Sequence, residues 1–303
     1  MSLSKYEMLM AVVEAGSLTK AAKELGCTQS AVSHSLDNVE NELGFSILKR
    51  SHSGIRLTAE GERILPAVRA LLSSAEQLNQ MASSIRGLDS GRVRIGTFTS
   101  VAVQWLPGVL KAFQGDYPNV EISLLNGDYH DVEQWLLDGS IDIGFVNVPC
   151  TLGCECITLI QDRMLAIFPK DSRFASYSRF PLTECETEPF ISLLASSDHD
   201  ARRALDAAGV KPNVRFYTKD DYAIIAMVEQ GLGMSIMPEL LLRGRHDNLL
   251  TLPLLPDYKR TIGMAIAAGD KAGPATRKFA DYVVNFVREQ EMEYANTLRR
   301  SVR

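Results

Sequence analysis

The chain has 303 residues, 46% of them hydrophobic and 23% charged, with 32 Lys and Arg against 37 Asp and Glu for a formal net charge of -5. At roughly 100 to 200 residues per domain this length predicts two or three folded units with ample apolar material for their cores. The balance excludes disorder, a collagen-like repeat and a protein that coats nucleic acid by bulk charge. No run approaches the ~18 apolar residues of a membrane span. The stretch from Met8 to Val13 is short and flanked by Glu7 and Glu14, so a cytoplasmic protein without membrane contact is expected. Five cysteines, an odd number with no visible secretion signal, point to reduced thiols rather than a disulfide framework.

Ser4 with Glu7 forms a capping-box pattern, and Tyr6, Leu9, Met10 and Val13 recur at helical spacing up to Gly16, which predicts a first helix. Ser17 is placed to cap a second, short one with Leu18, Ala21, Ala22 and Leu25 on one face and Gly26 as its stop. Thr28 is placed to cap a third, which turns Val32, Leu36, Val39 and Leu43 inward and ends at Gly44. Two helices separated only by Gly26, Cys27 and Thr28 match a helix-turn-helix, whose second helix enters the major groove. Its outward face starts with Gln29, Ser30, Ser33 and His34, residue types that pair with adenine, with either base edge or phosphate, and with guanine acceptors. The plainer alternative is a solvated polar face on a small helical domain.

Phe45 to Arg50 and Gly54 to Leu57 read as two short strands around a turn-rich connector. This hairpin carries Lys49, Arg50, His52 and Arg56 and no acidic residue, although the first 65 residues hold seven Lys and Arg against eight Asp and Glu. Cationic side chains are therefore concentrated where phosphates would run beside an inserted helix. Thr58 then caps a helix to about Arg86, 29 residues in length, or about 43 Å. Leu65, Val68, Leu71 or Leu72, Ala75, Leu78, Ala82 and Ile85 form a narrow seam along it, with a kink expected at Pro66. A seam this narrow suits pairing with the same helix of a second subunit, with Val68, Leu71, Leu72 and Leu78 as contacts. Packing on the chain's own second domain is the alternative.

Beyond Gly91 strands alternate with helices: Val93 to Thr97, a helix around Trp105 to Phe113, Val120 to Leu125, a helix from Val132 to Leu137, and Ile141 to Val146. This βαβαβ order predicts a parallel sheet with ligand sites at the carboxyl ends of its strands. A second series contains Phe190 and Ile191, a helix from about His199 to Ala208, Val214 to Tyr217, a helix from Tyr222 to Glu229, and Met234 to Met237. The runs Met164 to Phe168 and Ile262 to Ile266 are spaced to cross between the two subdomains. Thr97, Thr99, Ser100, Asn147, Ser192 and Thr218 sit at strand ends and are the candidates for lining a cleft that takes a small carboxylate or amino-acid-like metabolite. Ser and Thr at strand ends are also ordinary caps.

Enzyme chemistry has little support. Gly231 and Gly233 begin a G-x-G that lacks a third glycine and follows a helix, and no phosphate-loop, zinc-protease or nucleophile-elbow motif is present. No cofactor and no metal site are expected. Cys150, Cys154 and Cys156 raise redox or metal sensing as an alternative, but C-x3-C-x-C lacks the paired spacing of zinc sites. A cytoplasmic small-molecule binding protein without a regulatory role is the other rival, and it leaves the head and the long helix without a purpose.

The string Ala15, Gly16, Ser17, Ala21, Ala22, Leu25, Thr28, Gln29, Ser30, Ala31, Val32, Ser33, Leu43, Gly44, Phe45, Arg50, Leu57, Thr58, Glu60 and Gly61 resembles the head of LysR-type transcriptional regulators. Leu106, Pro107, Phe113, Tyr117, Pro118, Gly139, Asp142, Gly231, Leu232, Gly233 and Pro238 resemble the effector domain of the same family, itself similar to type 2 periplasmic binding proteins. Ser30 and His34 depart from the Pro and Arg common at those places. The resemblance implies an α/β protein with a winged helix-turn-helix at 1–60, a linker and dimerisation helix at 58–88, and a two-lobed effector domain at 89–303. Its first lobe would be 89–161 with 267–303 and its second 162–266. The implied partners are double-stranded DNA, further copies of the chain, a small-molecule effector and RNA polymerase. Ser17, Thr28, Gln29, Ser30, Ser33, His34, Lys49, Arg50 and Arg56 are the expected DNA contacts, and Thr99 with Ser100 match the inducer-binding loop.

Overall fold

The computed structural model describes residues 3–51, 54–85, 90–150, 156–194, 199–244, 248–267, 269 and 272–301. His52, Ser53, Cys154, the stretch from Gly87 to Asp89 and the side chain of Arg50 lie outside the described set. The chain forms two compact units, residues 1–82 with 138–140, and the remainder.

In the first unit, α1 (Leu3–Ala15) begins one residue before Ser4, which therefore sits in the first turn instead of capping it. Helix α2 (Leu18–Glu24) starts at Ser17, whose hydroxyl accepts from the Lys20 amide at 3.5 Å. Helix α3 (Gln29–Leu43) starts at Thr28, whose hydroxyl accepts from the Ala31 amide at 3.2 Å, and stops at Gly44, where φ is 81°. That left-handed backbone is strained for a residue with a Cβ. Tyr6, Leu9, Val12, Ala21, Val32 and Val39 close one core between the three helices.

The hairpin of β1 (Leu48–Ser51) and β2 (Gly54–Leu57) starts three residues later than the sequence suggests. The cause is local: the Glu40 carboxylate accepts from the amides of Ile47 and Leu48 at 2.6 and 3.0 Å, and Ile47 is fully buried in the helical core. Thr58 then donates to the Ser46 carbonyl at 2.8 Å and accepts from the Gly61 amide at 2.9 Å, capping α4 (Ala59–Ile85). The helix runs unbroken through Pro66. Its first turns belong to the head, because Leu65 and Val68 are buried in the same core as α1 to α3. This corrects the expectation for Val68: at 4% exposure it is taken up by its own subunit.

The second unit has two lobes. The first holds β3 (Gly91–Thr97), α5 (Thr99–Gln104), α6 (Leu106–Asp116), β4 (Val120–Asn126), α7 (Tyr129–Leu137) and β5 (Ile143–Asn147). Strand β3 pairs in parallel with both β4 and β5, the arrangement expected of βαβ units. Where one helix is expected around Trp105 there are two, since Pro107 lacks an amide donor and fits only the first turn of a new helix. Strand β6 (Cys156–Pro169) crosses from this sheet into the second lobe, built from β7 (Phe180–Pro181), β8 (Pro189–Leu193), α8 (Asp200–Ala208), β9 (Asn213–Thr218), α9 (Asp221–Glu229), β10 (Ser235–Pro238), α10 (Glu239–Leu242) and β11 (Leu249–Leu255). Strand β12 (Lys259–Ile266) returns, pairing antiparallel with β5 and with the first half of β6, and α11 (Pro274–Ser301) ends the chain.

The sheet order is β4-β3-β5-β12-β6-β11-β7, with β10 also on β6. Ile262 and Met264 of β12 are buried with Trp105, Phe113, Phe145 and Phe279 in the first lobe. Residues 259–266 therefore belong there and not to the second lobe, a correction of the expected boundary. The second lobe closes over Phe168, Phe174, Phe180 and Phe190.

Candidate nucleic-acid interface and ligand cavity

On the head, Gln29, Ser30 and His34 are exposed on one side of α3 and Ser33 is half-buried beside them. Asn38, one turn on, donates from its amide nitrogen to Nδ1 of His34 at 3.1 Å. That leaves the proton of the neutral ring on Nε2, a donor facing outward. The hydroxyls of Thr28 and Ser30 are 3.1 Å apart. Ser17 and Thr28 are committed to helix caps, as described, and hold the start of α2 and α3. Across the hairpin Lys49 stands directly opposite Arg56, and both are exposed. The hairpin is held to the turn between α1 and α2, where the Ile55 amide donates to the Gly16 carbonyl at 3.0 Å. A polar helix face and a cationic hairpin thus sit on one compact unit.

The second unit contains a cavity of about 490 Å³ between its lobes. Thr99, Ser100 and Ser192 line it as expected; Thr97, Asn147 and Thr218 do not. Thr97 is 1% exposed and its hydroxyl donates to the Phe98 carbonyl. The Asn147 side-chain oxygen accepts from the Thr261 amide at 3.2 Å, joining β5 to β12, and the Thr218 hydroxyl accepts from the Asp220 amide in the turn before α9. These three hydroxyl or amide groups stabilise backbone instead of facing a ligand.

The sequence reading missed the charged groups at the cavity's centre. Arg260, at the start of β12, is 4% exposed and donates to Asp162 at 2.9 Å, to Asp200 at 3.1 Å, to the Tyr129 hydroxyl at 3.1 Å and to the Ser100 hydroxyl at 2.7 Å. Tyr129 in turn donates to Asp200 at 2.6 Å. Burial works against the Arg260 cation, but Tyr129, Asp162 and Asp200 more than offset it and hold its pKa above the ordinary range. Burial, joined by the negative charge of Asp200, likewise keeps the Tyr129 hydroxyl protonated, with Arg260 pulling the other way. The hub ties α5, α7 and β12 of the first lobe to β6 and to α8 of the second. Asp221, first residue of α9, is hydrogen-bonded to the side chain of Thr99; burial raises its pKa and that bond partly restores it. Nothing in composition signals this set, because Tyr129, Asp162, Asp200, Asp221 and Arg260 are far apart in the sequence and meet only through the fold.

The family model for the LysR substrate binding domain matches residues 86–288, and that for bacterial regulatory helix-turn-helix proteins of the LysR family matches residues 3–62. The chain belongs to the LysR family of transcriptional regulators. It is 29% identical over 284 residues to the HTH-type transcriptional regulator YvbU of Bacillus subtilis, covering 93% of this chain and 97% of the relative. It is 30% identical to the probable HTH-type transcriptional regulator LrrA of Synechococcus elongatus, covering 93% and 96%. Among solved structures, a full-length OxyR variant from Pseudomonas aeruginosa superposes with a TM-score of 0.75 at 18% identity, covering 95% of both chains. CbnR, a LysR family transcriptional regulator, gives 0.65 at 21% identity over 95% of this chain and 99% of its own. The winged head and the two-lobed effector domain expected from the sequence are therefore those of a LysR regulator.

Along α4 of this LysR-family chain, Leu71, Leu78, Met81 and Ile85 are 38%, 67%, 54% and 85% exposed, while Leu72 packs partly against the head core. The apolar seam thus begins inside the head and ends uncovered. Cys150 and Cys156 lie with their sulfurs 2.6 Å apart, outside the cavity lining, and Cys185 is buried with its thiol pushed up to about 12 by desolvation. Among the described residues no group of three His, Cys, Asp or Glu is placed to hold a metal, and no helix is long and apolar enough to cross a membrane.

Proposed function

We propose that this LysR-family regulator reads a two-fold DNA site with paired heads, α3 in the major groove and the β1–β2 hairpin over the flanking phosphates. The observation that carries this reading is the coincidence, on one compact head, of the exposed Gln29, Ser30 and His34 with the opposed cations Lys49 and Arg56. Gln29 suits adenine, and the outward Nε2–H of His34 suits an acceptor on guanine or thymine. Ser33, at the half-buried edge of that face, and Arg50, between the two cations in sequence, complete the contact set, with Ser17 and Thr28 offering helix N-termini to phosphates. Regulation in the cytoplasm then requires a small-molecule effector in the cavity, with Thr99, Ser100 and Ser192 on its wall, and RNA polymerase as the partner that senses the bound regulator. The cavity has room for a small metabolite of amino-acid size. No reaction is assigned to the chain; it acts by binding.

The subunits pair through the uncovered end of α4, and two such pairs assemble where a tetramer forms. Gel retardation against salt concentration tests the interface. Replacing both Lys49 and Arg56 by Ala removes two phosphate contacts per head, so the slope of log affinity against log salt falls by about two units per head. An unchanged slope takes the hairpin out of the DNA contact.

A further inference from the structure

We propose that the cavity between the lobes holds its ligand through a protonated amine or guanidinium received by Asp200 and Asp221, which makes the ligand a small organic cation and not a simple carboxylate. The inference rests on the reading of this cavity as the effector site. Among the described residues its walls carry Asp128, Asp131, Asp200 and Asp221 against Arg260 and Lys219, a formal charge of -2. Of the two cations, Arg260 already serves Asp162, Asp200, Tyr129 and Ser100, so it has little left to offer an anion. Lys219 is exposed, at the rim.

The carboxylates differ in how far they are satisfied. Asp128 and Asp131 accept reciprocally from each other's backbone amides at 3.0 and 3.1 Å and cap α7. Asp200 is different: it is 5% exposed, its Oδ2 takes Tyr129 and Arg260, and its Oδ1 is buried with no hydrogen-bond partner among the described residues. A buried acceptor left in this state is destabilising, and only a donor relieves it. A carboxylate ligand has no donor to give and would meet two negative charges in a partly desolvated space. An ammonium or guanidinium supplies both the donor and the charge. Asp221 lines the same cavity, held by Thr99, so that its carboxylate occupies the hydroxyl an anionic ligand would need. Hence the ligand's cationic end points inward, and a carboxylate on the same molecule is tolerated only toward Lys219.

The test is calorimetric titration of the full-length protein with putrescine, agmatine and lysine amide, and with succinate and glutarate as anions. At least one of the three amines is expected to bind saturably, the anions are expected not to, and Asp221→Asn should weaken the amine tenfold or more. Asp200→Asn serves as the second variant, with unchanged far-ultraviolet circular dichroism showing that each variant is folded. Binding by succinate or glutarate and by no amine overturns the cation and leaves the effector cavity in place. Binding by none of the five overturns the inference as well, as does amine binding that both variants leave unaltered. A protein that titrates with an amine as stated but retards no duplex, with or without it, keeps the cation site and removes the regulator reading.

Discussion

Asp221 is a carboxylate held where the fold disfavours its charge. Burial raises its pKa, the Thr99 bond and Arg260 lower it, and Asp220 and Asp200 nearby raise it further. A carboxyl group whose folded pKa is raised lends stability below its unfolded pKa, and that contribution is lost as pH climbs through the folded value. Asp221→Asn is therefore expected to melt at a higher temperature than the parent at pH 7.5, with the gap closing toward pH 4 as the parent carboxylate protonates. Equal melting curves at both ends of that range would show that the group is not strained. Arg260 makes the opposite case. Its partner Asp162 has no exposed side-chain surface, so Arg260→Met strands a buried carboxylate and should destabilise the effector domain by about 3 to 5 kcal/mol in urea unfolding. A loss near zero contradicts the hub. Neither residue is legible in the sequence, where Arg260 follows Lys259 like any exposed strand end and Asp221 follows Asp220 like half of an ordinary helix cap.

Elements were far more readable than these side chains, wherever a local signal exists. The caps at Ser17 and Thr28 and the stop at Gly44 fall where expected, because each is decided by a bond within a few residues. Signals that depend on distant partners misled. Strand β1 starts late because Glu40 takes the preceding amides, and β11 was not foreseen because Pro253 interrupts its apolar run. Helix α4 combines both situations. Gly61 in its first turn has no room for a Cβ, which would stand 2.2 Å from the Ile47 carbonyl oxygen, so Gly61→Ala should destabilise the head by about 1 to 3 kcal/mol by forcing the hairpin base apart. An unfolding midpoint equal to the parent's contradicts that close approach. Farther along, Leu78 and Ile85 are exposed at heptad spacing. Leu78→Lys should leave a monomer by light scattering while the head keeps its fold, and a persisting dimer would place the subunit contact elsewhere.

At the scale of the whole chain, the two units divide the work: one presents a polar helix beside paired cations, the other encloses a charged cavity. Net charge gives no hint of the first, since the molecule is acidic and its cations matter only by position. The proposed two-fold pairing through α4 carries an expectation for the DNA, because a symmetric dimer reads an inverted repeat with half-sites a whole number of helical turns apart. The most direct measurement is sequencing of the duplexes that the full-length protein retains from a randomised DNA library. An enriched inverted repeat, whose preference at one base pair of each half-site relaxes for His34→Ala, is the predicted outcome. Retention of unenriched DNA, or a motif unchanged in the His34→Ala protein and in a Gln29→Ala one, would contradict sequence reading by α3.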